Sequence, residues 1–128
     1  MMSKKPWNRT RKVPGQMTKT EAQYYSILNE LKLVGEIIEI RFEAHTFKLA
    51  EGLRYTPDFE IVYADPSRGK AFFEIKGSEF FASGKSNQQN SITKLKIAAK
   101  LFPEYYFYKC YPRAKKEGGA WVTELISQ

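Results

Sequence analysis

The sequence predicts a mixed α/β (α+β) domain in which helices flank a central mixed β-sheet. Its 128 residues suffice for one domain with a hydrophobic core, but not for two. Hydrophobic residues make up 42% of the chain and aromatic residues 15%, which excludes a disordered chain. Hydrophobic positions recur at helical spacing in two segments and at strand spacing elsewhere, which predicts the element order αβββαββ.

The chain begins with a basic segment, residues 1–16, that contains two prolines and one glycine and shows no hydrophobic periodicity. We expect a flexible arm there, followed by a single domain over residues 17–128. The arm carries Arg9, Arg11 and Lys12, which are candidates for contacts with the phosphates of a nucleic acid. The alternative is a solubilising tail that binds nothing specific.

The first helix is predicted over residues 18–34. Thr18 and Glu21 match a capping box, and Gly35 is a typical residue just beyond the end of a helix. Hydrophobic residues at helical spacing form one stripe, which we expect to be buried against the sheet. The members of this stripe are Tyr24, Ile27, Leu28, Leu31 and Val34.

Alternating hydrophobic residues then predict a series of strands. They cover residues 38–42, continued by a second short run at residues 47–49, then residues 53–63 and finally residues 70–76. Residues 65–69 (Asp-Pro-Ser-Arg-Gly) form a strong turn sequence between the last two of these strands. We therefore expect those two strands to pair as an antiparallel hairpin.

A polar loop over residues 78–85 is predicted after this hairpin. Ser86 and Gln89 form a possible second capping box, and Pro103 ends the helix that follows. The side chains that this helix is expected to bury are Ile92, Leu95, Ala99 and Phe102. Two further strands complete the domain, over residues 105–111 and 120–126. The loop over residues 112–119 separates them.

The cysteine content and the hydropathy exclude several classes of protein. The single cysteine, Cys110, excludes a disulfide framework and a cysteine-based zinc site, and favours a reducing, cytoplasmic compartment. No hydrophobic stretch is long enough to span a membrane. The basic N-terminus lacks the hydrophobic segment of a secretory signal, so we expect no membrane partner.

The formal net charge of +7 is unevenly distributed. Residues 1–19 contain six basic and no acidic residues, and residues 76–128 contain nine basic and four acidic residues. Residues 20–75 contain ten acidic and only six basic residues. The basic flanks favour a polyanionic partner such as DNA, whereas the acidic middle requires a separate explanation.

The acidic middle contains a group of residues suited to phosphodiester hydrolysis. Strand periodicity places Glu74 and Lys76 on one face, and the hairpin brings Asp58 to the same face. Two carboxylates can bind Mg²⁺, with Mn²⁺ as a substitute, and leave coordination positions for water and phosphate. Lys76 would position the attacking water or neutralise phosphate charge. The alternative is that these are ordinary strand residues facing solvent.

Glu21 has two candidate roles. It is the N3 residue of the capping box that begins at Thr18, where its carboxylate would bind the backbone at the helix start. It also lies three residues before Tyr24 and seven before Leu28, which places it on the buried stripe of the helix. A buried carboxylate needs a partner, and a metal site would provide one.

A Pro-Asp pair ending at Asp58, followed sixteen positions later by the Glu-Ile-Lys run from Glu74 to Lys76, resembles the signature of the PD-(D/E)XK nuclease superfamily. The predicted element order also resembles the αβββαβ core of that superfamily, the restriction-endonuclease-like fold. The resemblance implies that Asp58 and Glu74 are metal ligands and that the backbone carbonyl of Ile75 is another. It further implies that Lys76 is the catalytic lysine, and that Glu21 is a further catalytic and metal-binding residue.

The small size of the chain favours the phage-type endonucleases and Holliday-junction resolvases within this superfamily, such as endodeoxyribonuclease I. Three stretches of the chain resemble these enzymes, namely residues 20–25, 55–59 and 94–103. The resemblance as a whole covers roughly residues 18–110. It implies a branched or junction DNA substrate and the cytoplasm of a bacterial or phage-infected host cell. It also implies a homodimer, because a junction has two symmetric strands to cut.

Lys94 and Lys96 belong to the second predicted helix. In the superfamily that this sequence resembles, a basic residue of this helix often approaches the active site or the DNA backbone. Lys94 and Lys96 are therefore candidates for DNA binding. The alternative is a solvated helix face, since Lys96 and Lys100 lie opposite the hydrophobic stripe.

The sequence thus predicts a Mg²⁺-dependent DNA endonuclease, with branched DNA as the favoured substrate. A restriction-like or nicking nuclease with the same site is the first alternative. The others are a non-catalytic DNA-binding module of the same fold and an adaptor whose basic arm binds an acidic partner. The combination of Asp58, Glu74 and Lys76 argues against a binding module, because such a module has no need to concentrate acids near phosphate.

Overall fold

Residues 15–85 and 90–126 are described by the computed structural model, and they form a mixed α+β fold. Their helices are α1 (Lys19–Leu33), α2 (Glu79–Ala82) and α3 (Asn90–Leu101). Their strands are β1 (Ile37–Phe42), β2 (Phe47–Ala50), β3 (Leu53–Tyr55), β4 (Phe59–Tyr63), β5 (Lys70–Ile75), β6 (Tyr106–Pro112) and β7 (Trp121–Leu125). No helix in these ranges is long and apolar enough to cross a membrane.

Five strands form a central mixed sheet in the order β1-β4-β5-β6-β7. β5 and β6 are parallel and are joined by a crossover through α2 and α3, whereas the other neighbouring pairs are antiparallel. β2 and β3 form a separate two-stranded sheet. Apart from that small hairpin and the four-residue α2, the order is αβββαββ, which confirms the predicted fold class.

The two faces of the sheet are covered by different elements. On one face, α1 contributes Tyr24 and Leu28 to a core that also contains Phe59, Ile61, Phe73 and Cys110. On the other face, α3 and the β2–β3 hairpin cover Phe72 and Phe107. These two faces are called the α1 face and the α3 face below. Alternation along the strands sends neighbouring residues such as Phe72 and Phe73 to opposite faces.

The buried stripe of α1 is narrower than the sequence predicts. Tyr24 and Leu28 are buried, but Ile27 is 36% exposed and Val34 is 71% exposed. Val34 follows the last helical residue as the C-cap, so it lies beyond the part of the helix that packs on the sheet. Ile27 lies to one side of the contact line that Tyr24 and Leu28 define.

The prediction of one continuous strand over residues 53–63 is wrong. The segment divides into β3, which pairs with β2, and β4, which belongs to the central sheet. Pro57 lies at the division, and proline has no N–H to donate to a strand ladder. The break allows β3 to fold over the α3 face while β4 continues in the central sheet.

The prediction of a simple loop over residues 78–85 is also incomplete. Glu79–Ala82 form the short helix α2, and the Ser78 side chain accepts a hydrogen bond from the Phe81 N–H at its start. Ala82 is buried. The predicted capping box of Ser86 and Gln89 lies outside the described residues.

Candidate active site

Asp58 is held at the end of β5 by a hydrogen bond to the backbone. Its Oδ2 accepts from the Ile75 N–H at 2.7 Å, and its side chain is buried. β4 and β5 pair with Phe59 opposite Phe73, so the position opposite Ile75 falls on Pro57. At the end of the β4–β5 ladder, the Ile75 N–H therefore donates to the Asp58 carboxylate in place of a backbone carbonyl of the opposite strand.

Glu74 is the second carboxylate at this end of β5. It lies on the α3 face, because its neighbour Phe73 belongs to the α1-face core. Its Oε1 accepts a hydrogen bond of 2.6 Å from the Tyr55 hydroxyl. Burial, and next the charge of Glu74, raise the pKa of Tyr55 well above its usual range. Tyr55 therefore remains a proton donor to Glu74.

Lys76 follows β5 and completes the group. Its Nζ lies 3.7 Å from Glu74 Oε2 and donates to the Ser91 hydroxyl on α3. The Lys76 side chain is only 18% exposed. The backbone N–H of Lys76 donates to the Cys110 carbonyl at 2.8 Å, which extends the β5–β6 ladder by one residue. The structure thus brings Asp58, Glu74 and Lys76 together around the end of one strand.

Glu21 is buried, and it forms the predicted capping box with Thr18. Its Oε1 accepts from the Thr18 N–H at 2.9 Å, and the Glu21 N–H donates to Thr18 Oγ1 at 3.1 Å. The start of α1 lies close to the end of β5. A Cβ atom added to Gly77 would be only 3.9 Å from Thr20 Oγ1. Glu21 nevertheless belongs to the helix that covers the α1 face, whereas Glu74 lies on the α3 face.

The donor set at the end of β5 fits a magnesium ion. Mg²⁺ is usually held by one or two carboxylates and keeps several water ligands, and Asp58 and Glu74 provide two carboxylates. Among the described residues there is no group of three or more His, Cys, Asp or Glu side chains placed to hold a metal ion. The structure therefore does not bring Glu21 into one ligand set with Asp58 and Glu74.

The two candidate lysines of α3 have different environments. Lys94 is half-buried, and it lies one helical turn after Ser91, which contacts Lys76. Lys96 is exposed and lies on a different side of the helix. Lys94 is thus on the same side of α3 as the candidate site. Arg9, Arg11 and Lys12 lie outside the described residues.

Lys109 lies beside the site and is not identified by the sequence analysis. In the parallel β5–β6 ladder it is the partner of Glu74, so both side chains lie on the α3 face. Its Nζ donates to the Ala82 carbonyl at 2.9 Å and lies 4.0 Å from Glu124 Oε1. Its position depends on a pairing between strands that are far apart in sequence, which a local pattern cannot reveal.

Tyr55 and Ser91 are two further site residues that the sequence analysis does not assign a role. Tyr55 lies in the predicted strand segment, but only the break at Pro57 folds it over Glu74. Ser91 lies next to a predicted buried position of the second helix, and nothing local indicates that it contacts Lys76. Both contacts join segments more than ten residues apart.

Comparisons of the chain with protein-family models, with curated proteins and with solved structures find no match. A fold by itself does not imply an activity, because unrelated activities share folds. The function is therefore inferred from the chemistry of the residues at the end of β5.

Proposed function

We propose that this protein is a Mg²⁺-dependent DNA endonuclease that hydrolyses phosphodiester bonds. The observation that carries the proposal is the hydrogen bond from the Ile75 N–H to Asp58. It fixes one buried carboxylate beside a second, that of Glu74, next to a half-buried lysine, Lys76. A buried carboxylate pair with an adjacent ammonium group is suited to holding a divalent cation and a phosphate together.

Each carboxylate is held in place by a donor from another segment. The Ile75 N–H orients Asp58, and the Tyr55 hydroxyl orients Glu74. When bound, Mg²⁺ would lower the pKa of coordinated water and offset the negative charge of the transition state. Because the two ligands are already oriented, little reorganisation is needed at the moment of reaction.

Lys76 acts on the nucleophile and on the phosphate. In the hydrolysis, the oxygen of a water molecule forms a bond to phosphorus in line with the leaving oxygen, and the bond to that oxygen breaks. The water loses one proton to solvent, and the leaving oxygen takes one up from solvent. The Lys76 ammonium group lies 3.7 Å from Glu74 Oε2, so it is placed to position a water molecule and to neutralise phosphate charge beside the carboxylates. The contact with Ser91 holds the ammonium group in place.

Basic residues around the acidic pair attract DNA. Lys94 lies on the site side of α3, and Lys109 lies beside Glu74. Their charge, together with that of the basic flanks of the chain, offsets the repulsion between the carboxylates and phosphate. By the resemblance to small phage-type resolvases, the favoured substrate is branched or junction DNA and the active form is a homodimer.

The proposal is tested by incubating the protein with labelled four-way junctions, linear duplexes and single strands, in Mg²⁺ or in EDTA. We expect cleavage only with the metal. Asp58→Asn and Lys76→Ala should each lower the rate by at least about 10²-fold, because each removes a group that stabilises the transition state. Lys100→Ala and Glu51→Gln are matched controls, since both residues are exposed, and they should cleave normally.

Binding of DNA without cleavage in any metal would contradict the proposal and favour a non-catalytic binding module. Full activity in Asp58→Asn would place the active site elsewhere. Equal cleavage of all duplexes would favour a restriction-like or nicking enzyme with the same site and would contradict the preference for junctions.

A further inference from the structure

A groove of about 730 Å³ opens where β5 and β6 end. Gly77 and Ser78 line it, and they directly follow the candidate catalytic residue Lys76. Its volume falls within the range of about 300–1,000 Å³ that is typical of small-molecule sites. We refer to this cavity as the strand-end groove. The groove therefore begins one residue beyond Lys76, at the end of the strand that carries Glu74.

Two aromatic side chains line the strand-end groove. Trp121 is half-buried, and its ring centroid lies 5.0 Å from that of the buried Tyr24. This contact fixes the indole at the groove wall. Phe80 on α2 is 57% exposed. Aromatic faces at a wall of this kind form a platform on which a flat ring can stack.

The charged residues of the groove offset each other. Arg113 and Lys115 contribute two positive charges, and Glu79 and Glu117 contribute two negative charges. A phosphate placed in the groove would meet as many carboxylates as cations. A neutral planar group with polar edges matches this balance of charges better than a phosphate does. The exposed side chain of Gln23 can donate hydrogen bonds to such an edge and accept hydrogen bonds from it.

We propose that the strand-end groove binds one unpaired nucleobase of the DNA substrate, next to the bond that is cut. This inference rests on the nuclease function proposed above, because it places the base beside the phosphate held near Lys76. A base inside a duplex is stacked on both sides and cannot enter such a groove, whereas a base at a branch, flap or bulge can. The groove would thus select branched or partly single-stranded DNA.

Trp121 fluorescence tests this proposal without any need for cleavage. The chain has two tryptophans, so Trp7→Phe leaves Trp121 as the only source of tryptophan emission. This variant is titrated in EDTA with three DNA hairpins whose loops are linkers without bases: one with a fully paired stem, one with a single unpaired thymidine in the stem, and one with an abasic site at that position. We expect quenching by the unpaired thymidine, and at least about tenfold weaker binding of the other two hairpins, because each lacks a base that can stack.

Phe80 and Phe81 provide a matched pair of variants. Both are exposed aromatic residues of α2, but only Phe80 lines the groove. Phe80→Ala should weaken binding of the unpaired-thymidine hairpin by about tenfold. Phe81→Ala should weaken it much less, because it removes only the ring that packs edge-on against Phe80. Equal effects of the two substitutions would overturn the proposal.

The test separates this proposal from the nuclease function. Equal quenching by the abasic and thymidine hairpins would overturn the base site. Cleavage of branched DNA without any quenching of Trp121 would also overturn the base site, but it would leave the nuclease intact. Base-dependent quenching without cleavage would support the base site and contradict the nuclease.

Discussion

Tyr55 shows how a single hydrogen bond can orient a buried carboxylate. Its hydroxyl lies 2.6 Å from Glu74 Oε1, and both side chains are buried. Burial and the charge of Glu74 keep the pKa of Tyr55 well above its usual range, so the hydroxyl keeps its proton at neutral pH. The hydroxyl belongs to β3, outside the central sheet, so the orientation of Glu74 depends on the β2–β3 hairpin.

Tyr55→Phe keeps the aromatic ring and removes only this donor. We expect the cleavage rate to fall by about 10–100-fold, the range found when a residue that orients a metal ligand is removed. The free energy of unfolding should fall by about 2 kcal/mol, because the lost hydrogen bond is made to a buried carboxylate. Single-turnover cleavage and urea unfolding measure the two effects.

Tyr106→Phe is the control, since Tyr106 is 42% exposed on β6. It should change neither cleavage nor stability. A Tyr55→Phe variant that cleaves at the normal rate would show that Glu74 does not need the Tyr55 hydroxyl to hold its carboxylate in position.

Helix α1 combines a structural role with a candidate catalytic one at the same residue, Glu21. The capping box uses its carboxylate to satisfy the Thr18 N–H. Glutamine can fill this place in a capping box, but it lacks the charge that binds a metal. Substitutions at the start of α1 can therefore separate the two roles.

Thr18→Ala should lower the free energy of unfolding by about 1 kcal/mol, because it removes the acceptor for the Glu21 N–H. It should leave cleavage per folded molecule unchanged. Glu21→Gln should keep nearly the full stability, and we expect it to cleave normally, since Glu21 is not grouped with Asp58 and Glu74. Urea unfolding and single-turnover cleavage are measured for both variants.

A loss of about 10²-fold in cleavage by a stable Glu21→Gln variant would contradict this expectation. It would show that the carboxylate of Glu21 joins the active site when DNA and metal are bound. A large loss of stability would instead show that the capping box requires the charge.

The sequence predicts most elements because their information is local. The capping box and the hydrophobic stripe locate α1, and alternation locates β5 and the hairpin that brings Asp58 to it. The same alternation misled the prediction at residues 53–63, because the hydrophobic pattern continues across Pro57 although the ladder does not. Lys109 cannot be predicted in the same way. It becomes a neighbour of Glu74 only through the pairing of β5 with β6, which are far apart in sequence.

The molecule as a whole buries several groups in their protonated form. Burial is the main cause that raises the pKa values of four tyrosines and of the Cys110 thiol, the latter to about 12. The tyrosines are Tyr24, Tyr55, Tyr63 and Tyr111. In the unfolded chain these groups titrate near 9.0 for the thiol and 10.0 for the phenols.

The folded protein should therefore lose stability in alkaline solution. Between the unfolded and folded pKa values, the folded state binds more protons than the unfolded state, so the free energy of unfolding falls as pH rises. We expect this free energy to be unaffected by these groups below about pH 8 and to decline from about pH 9 upward. Urea unfolding at a series of pH values from 7 to 11 measures the decline.

Cys110→Ala serves as a comparison, because it removes one of these groups from a fully buried position. The variant should be less stable at neutral pH, but its stability should decline less steeply between pH 9 and 11. A free energy of unfolding that is constant or rises over this range would contradict the assignment of buried, protonated groups.

The hydrogen bond between Asp58 and Ile75 also provides a probe of the site. Because the acceptor of the Ile75 amide is a side chain and not a neighbouring strand, the exchange of this amide with deuterium reports on the carboxylate. An event that draws Asp58 away would speed exchange at Ile75 and leave amides in the middle of β5 protected. A single resonance in an NMR spectrum can therefore follow the integrity of the candidate site in solution, with no substrate present.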